Sequence, residues 1–180
     1  MAVRSTMADL IARVRAEIGD PTGSGQTFSD QDIQDALDRR RFDVLMVPLR
    51  AVPTYPAGVA KWLDYYAPRG LWESDETLYD NARAVIAAGF TADRLIGHWA
   101  FTASRVPPVY VTGKCYDMHA AAADLLEEWS AKEKLYHSFS GDQGESQEPS
   151  QRASSLHWLA RTHRRKASGG PGLIHGEAAW

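Results

Sequence analysis

The sequence predicts an α+β fold that is mainly α: a bundle of about four helices carrying an inserted small antiparallel β module. Two observations carry that expectation. Apolar residues recur at three- and four-residue steps near both ends of the chain, whereas the stretch between them is punctuated by prolines and dense in aromatics. The expected organisation is N-terminal helices over 1–41, a β module over 42–112, C-terminal helices over 113–168 and an extended tail over 169–180.

The first helix follows from Met7, Leu10, Ile11, Val14 and Ile18, which fall on one face, and Gly19-Asp20-Pro21 stops it. The second has a start signal in Ser29, with Phe28 placed to staple onto Ile33 and with Asp30 and Asp32 in the first turn. Arg39, Arg40 and Arg41 close it, where the helix dipole favours positive charge. Between 42 and 112, the segments Phe42–Val47, Lys61–Tyr66, Ala84–Ala88, Trp99–Thr102 and Val109–Thr112 have strand character, with turns at Asp80-Asn81 and at Gly58, Gly70, Gly89 and Gly97. A long helix is expected from Tyr116 to Phe139, with Ala120–Ala123 allowing close helix approach. Pro149 suits the first turn of a last helix running to about Lys166, with Ala153, Leu156, Leu159, Ala160 and His163 inward. Beyond Ser168 the glycine-rich run cannot continue a helix.

At 180 residues the chain fits one domain or one domain with a sizeable insertion, and 44% hydrophobic residues supply a core. A net charge of −3 is too balanced for a protein whose main task is to coat nucleic acid. The single cysteine, Cys115, excludes an internal disulfide and a cysteine-built zinc site, and it suits a reducing cytoplasm. No signal-peptide pattern is expected at residues 1–9, and no apolar run approaches the roughly 18 residues of a membrane span.

Little in the sequence proposes catalysis. Val111-Thr112-Gly113-Lys114 fails as a phosphate loop, because Pro108 stands at the first glycine position and Cys115 replaces the magnesium-binding hydroxyl. Cys115 and His119 lie four apart, but two ligands do not make a metal site, and no third has an obvious spacing. His98, His119, His137, His157, His163 and His175 form no metalloprotease-type pair. Glu127-Glu128 are adjacent on a helix and diverge, which makes them a solvated face rather than an acid/base pair. No catalytic residue, cofactor or metal is therefore expected.

Two features suit binding. Arg161, Arg164, Arg165 and Lys166 form a basic cluster able to touch DNA phosphates or an acidic partner, although a helix C-terminus also explains it. Leu173, Ile174 and Trp180 are apolar residues on a segment that cannot build its own core. That segment is either a disordered end or a peptide that orders on docking to a neighbour.

The order of signals resembles a known family. Leu-Ile-Ala-Arg-Val-Arg-Ala-Glu-Ile-Gly-Asp (10–20), then Phe-Ser-Asp-Gln-Asp-Ile-Gln-Asp-Ala-Leu-Asp (28–38), resembles the opening helices of phage head-to-tail connector (adaptor) proteins. Val111–Lys114 followed by Tyr116–Trp129 looks like their long helix, and Ser150-Gln151 with Leu156 and Leu159-Ala160 looks like their final one. The resemblance covers about half the chain and rests on amphipathic-helix motifs. It implies a virion structural protein without catalytic residues, made in the host cytoplasm and placed at the head-tail interface. It also implies a homo-oligomeric ring, usually of 12 subunits, between the portal protein and a stopper or tail protein. DNA passes through the lumen without sequence-specific binding, and no membrane is involved. In such rings a C-terminal segment commonly reaches towards the portal. The inserted β module departs from the smallest family members. One competing expectation is a nucleic-acid-binding protein using the helix at 29–41; another is a small enzyme whose site is assembled by folding.

Overall fold

The structure is a computed structural model that describes the backbone of residues 2–140, 148–167 and 172–175, and the side chains of 2–135 and 151–167. The chain divides into two compact units, one made of residues 1–40 with 117–170 and the other of 41–116 with 171–180.

The first unit is helical. Helix α1 (Ala8–Ile18) follows a 3-10 turn at Ser5–Met7 and ends at Gly19, whose φ of 68° is the left-handed cap that glycine adopts without strain. Helix α2 (Asp30–Asp38) opens with a capping box: the Ser29 hydroxyl accepts from the Asp32 amide at 3.1 Å, and the Ser29 amide donates to the Asp32 carboxylate at 2.8 Å. The helix stops at Asp38, short of the expected Arg41; Arg39 is its C-cap and Arg41 already begins a strand. Helix α3 (Met118–Ser140) begins behind Asp117, whose carboxylate accepts from the Ala120 amide at 2.9 Å. Helix α4 (Glu148–Lys166) packs against α3. The Ala120–Ala123 run is fully buried, as are Ala153 and Ala160, so small side chains let backbones come close. A buried Ser130 hydroxyl donates to the Ala153 carbonyl at 2.9 Å and ties α3 to α4.

The second unit is β. Its first sheet runs in the order β5 (Val85–Ile86), β4 (Thr77–Tyr79), β8 (Tyr110–Tyr116), β1 (Arg41–Pro48), β9 (Gly172–His175). The other runs β2 (Arg50–Thr54), β3 (Lys61–Tyr66), β7 (His98–Phe101), β6 (Phe90–Asp93). Neighbours pair antiparallel except β9, which lies parallel to β1. Val44 and Val47 from one sheet share a core with Tyr65, Trp99 and Phe101 from the other. A register shift in β1 between Val44 and Val47 inserts one residue, so that Phe42, Val44 and Val47 are all buried despite their uneven spacing.

The expectation of a mainly helical bundle with a small β insertion is overturned. The chain is 40% helical and 26% strand, and the β part is two sheets rather than a minor module. Strands β2, β4, β6 and β9 account for the difference. β4 spans three residues, β6 and β9 four each, and β2 carries Pro53, all below the length or composition at which alternation is visible in sequence. The boundary at 112/113 also moves: β8 continues to Tyr116, so residues 113–116 are strand and α3 begins at Met118.

Candidate functional site

Within the helical unit, three polar side chains from three helices converge. Glu17 is on the last turn of α1, His119 on the first turn of α3 and His163 on the last turn of α4. The two histidine Nδ1 atoms are 3.1 Å apart, with ring centroids 5.3 Å apart and ring planes inclined by 41°. One potential ligand atom from each of the three side chains lies within 4.8 Å of the other two. Burial pushes the His163 pKa below its ordinary value; His119 and Lys166 add to that effect, and Glu17 opposes it. Arg13 holds Glu17 Oε1 at 3.1 Å. The three residues are separated by long stretches of sequence, so no spacing rule could have gathered them; Cys115 and His119, four apart in sequence, lie on a strand and a helix and share no helical face. Cys115 lies in β8, buried, with its thiol pushed up to about 11 by burial.

The basic cluster is at the end of α4 as expected, but its members differ. Arg161, Arg164, Arg165 and Lys166 are all exposed. Arg164 binds Asp124 at 2.7 Å and Glu127 at 2.9 Å, and Arg40 grips the same Asp124 through Nε at 2.8 Å. Burial alone would raise the Asp124 pKa, but hydrogen bonds from Arg40 and Arg164 outweigh it and hold the carboxyl below its ordinary range. Among the described residues no carboxylate pairs with Arg161, Arg165 or Lys166. These three are the cations left for a partner.

Of the three apolar tail residues, Leu173 and Ile174 lie in β9, where their backbones pair with Asp43 and Val44; Trp180 lies outside the described residues. Sequence reasoning missed a different apolar feature. Most of the large apolar side chains that stay exposed among the described residues lie in the β unit, and three of them (Val52, Tyr55 and Val59, with Tyr55 66% exposed) flank the turn joining β2 and β3. Isolated cases are ordinary, but three that follow one another along one hairpin end mark a segment suited to burial. The signal was available: three prolines at 48, 53 and 56 bracket apolar residues that alternate poorly.

Elsewhere in the β unit, buried carboxylates have partners. Glu73 accepts from the Tyr116 hydroxyl and faces Lys114 Nζ at 3.7 Å. Glu76 accepts from Arg94 Nε at 2.9 Å and from the Trp99 indole at 3.2 Å. Residues 111–114 are extended strand, so the phosphate-loop pattern fails on geometry as well. Tyr65, Trp72, Trp99 and Phe101 are buried core residues, which removes them as a base-stacking platform.

No family model, curated protein or solved structure matches the chain.

Proposed function

We propose that this chain is a structural head-to-tail adaptor of a tailed phage, assembling as a ring between the portal and a stopper or tail protein and acting by binding. The observation that carries the reading is the exposed apolar end of the β2–β3 hairpin, with Val52, Tyr55 and Val59 left open to solvent. Burying such a cluster against a neighbouring copy removes apolar area from water at about 25 cal/mol per Å², and repetition around a closed ring satisfies every copy equivalently. The resemblance of helices α1, α2, α3 and α4 to those of connector proteins supports the same reading. So does the edge strand β9: a four-residue strand whose backbone pairs in parallel with β1 is the type of element that a portal or a neighbouring subunit accepts as an added strand.

The competing nucleic-acid reading used the helix at 29–41. The exposed positions of α2 include Asp30, Asp32 and Asp35, a face that repels phosphate. What favours nucleic acid instead is α4, where Arg161 and Arg165 sit four residues apart and Lys166 adjoins them.

The deciding measurement is the mass and symmetry of the purified chain mixed with candidate portal rings, by light scattering and particle imaging. The expected outcome is a closed ring stacked on the portal, lost in Tyr55→Ser/Val59→Ser protein that keeps its circular dichroism. A chain that stays monomeric beside the portal, yet binds duplex DNA with steep salt dependence, would overturn the adaptor reading in favour of the α4 surface.

A further inference from the structure

We infer that Glu17, His119 and His163 form a binding site for a divalent transition-metal ion of the zinc class, which pins α1 to the α3–α4 pair inside the helical unit. The potential ligand atoms of the three side chains lie within 4.8 Å of one another, and each comes from a different helix. The histidine geometry is the sharpest indication. Zinc–nitrogen bonds of about 2.0–2.1 Å at a tetrahedral angle place two ligating nitrogens about 3.3–3.4 Å apart. The Nδ1 atoms of His119 and His163 are already 3.1 Å apart.

The chemistry of the donor set fits the same class of ion. Two imidazole nitrogens and one carboxylate oxygen are borderline-to-hard donors, which suit zinc and its neighbours and not calcium or magnesium. Two histidines and a glutamate also leave a fourth tetrahedral position for water. Metal ligation requires neutral imidazole, and His163 is buried at 3% exposure, away from water that would hydrate a charged ring. Arg13 grips one oxygen of Glu17 at 3.1 Å and orients the carboxylate, the outer support that ligating side chains commonly have. Without an ion, the histidine pair is held by a single hydrogen bond in which one Nδ1–H donates to the other ring.

Placing an ion here joins residues 102 and 44 positions apart along the chain, counted as 119 − 17 and 163 − 119. The stabilisation it brings grows with metal concentration, because the ion binds the folded helices and not the separated ones. The inference is independent of the adaptor reading, since it concerns only side chains within the helical unit.

Titration of tag-free, chelator-stripped full-length chain with zinc chloride by calorimetry, with a thermal melt at each point and cobalt as the spectroscopic probe, tests the site. The expected result is one zinc per chain, a melting temperature that rises with zinc, and the intense visible bands of four-coordinate cobalt. Glu17→Gln, chosen because its side chain is partly exposed and the variant should fold, and His119→Ala should each weaken binding by roughly 100-fold or more, beyond the loss typical of an outer-shell change, and abolish the zinc-dependent rise. No saturable zinc binding by the parent chain, or undiminished one-to-one binding by both variants, would overturn the site. Loss in His119→Ala with full retention in Glu17→Gln would overturn the three-residue assignment.

Discussion

The guanidinium of Arg15 and the carboxylate of Asp20 meet at 2.8 Å with both side chains almost wholly buried, at 6% and 0% exposure. Arg15 also donates to the Phe28 carbonyl at 2.8 Å and to Asp30 at 2.7 Å, while Asp20 accepts from the amides of Thr27 and Phe28. The pair thus organises the connection from α1 to α2 around two charges that have almost no access to water. Removing Arg15 leaves the fully buried Asp20 without a counter-charge, which costs about 3–5 kcal/mol, whereas removing Asp20 leaves Arg15 still paired with Asp30 and costs less. Arg15→Ala should lower the unfolding free energy, measured by denaturant titration, by that amount, and Asp20→Ala by less. Because both members serve one network, the double variant should fall well short of the sum.

Gly70 and Gly97 hold two backbone segments of the β unit against each other. The Ala67 amide donates to the Gly97 carbonyl at 2.8 Å and the Leu71 amide to the Leu95 carbonyl at 3.1 Å. A Cβ on Gly70 would stand 2.2 Å from the Leu95 carbonyl oxygen, and one on Gly97 would stand 2.3 Å from that of Arg69, with φ at 72° besides. Gly70→Ala and Gly97→Ala should each destabilise the β unit by about 2 kcal/mol or more, measured as an earlier loss of the near-ultraviolet signal of buried Trp72 and Trp99. Gly25→Ala, where the nearest atom is 3.7 Å away, should change little.

What the sequence conveys about this fold follows from how local each signal is. Ser29 and Asp32 cap α2 within four residues, and Gly19 stops α1 by its own backbone preference, so both helix ends are legible. β3 needed only its own aromatic and branched residues to be found at Lys61–Tyr66. β4 has only three residues and depends on pairing with β8 some thirty residues later, a contact that leaves no local trace. The candidate ligands show the same limit: Glu17 looks like a surface helix residue and His163 like a core residue, until three helices meet. The basic cluster was legible as a group, but not the fact that Arg164 is committed to Asp124 and Glu127.

Stability should fall on mild acidification through His163. The folded state holds the His163 pKa below its ordinary value of about 6.5, so the unfolded chain takes up a proton first as the pH drops. A depressed pKa of this kind gives stability that is fully present above about 6.5 and is lost as the pH falls towards the folded value. Denaturation measured in chelator between about pH 7.5 and 5 should therefore show a declining midpoint. His163→Gln, neutral throughout, should flatten that decline even if its stability at neutral pH is lower. Asp124 follows in a lower range: its pKa is also depressed, so its contribution is present above about 3.9 and disappears with further acid.

Arg164 and Arg165 are neighbours in sequence with different tasks, and charge reversal separates them. Arg164 lies between Asp124 and Glu127, so Arg164→Glu sets three carboxylates together and releases Asp124 from one of its two arginines. The side chain is 38% exposed, so solvent screening limits the loss to about 1 kcal/mol. Arg165 is exposed and has no carboxylate partner among the described residues, so Arg165→Glu should leave stability within about 0.5 kcal/mol. A partner that uses this end of α4, whether an acidic protein surface or DNA, should respond in the opposite order. Arg165→Glu and Lys166→Glu should weaken its binding and reduce the salt dependence, while the unfolding midpoint stays put. If both reversals leave head-tail joining and its salt dependence unchanged in folded protein, the cations of α4 serve the helix terminus alone, where they offset the partial negative charge of the last carbonyls.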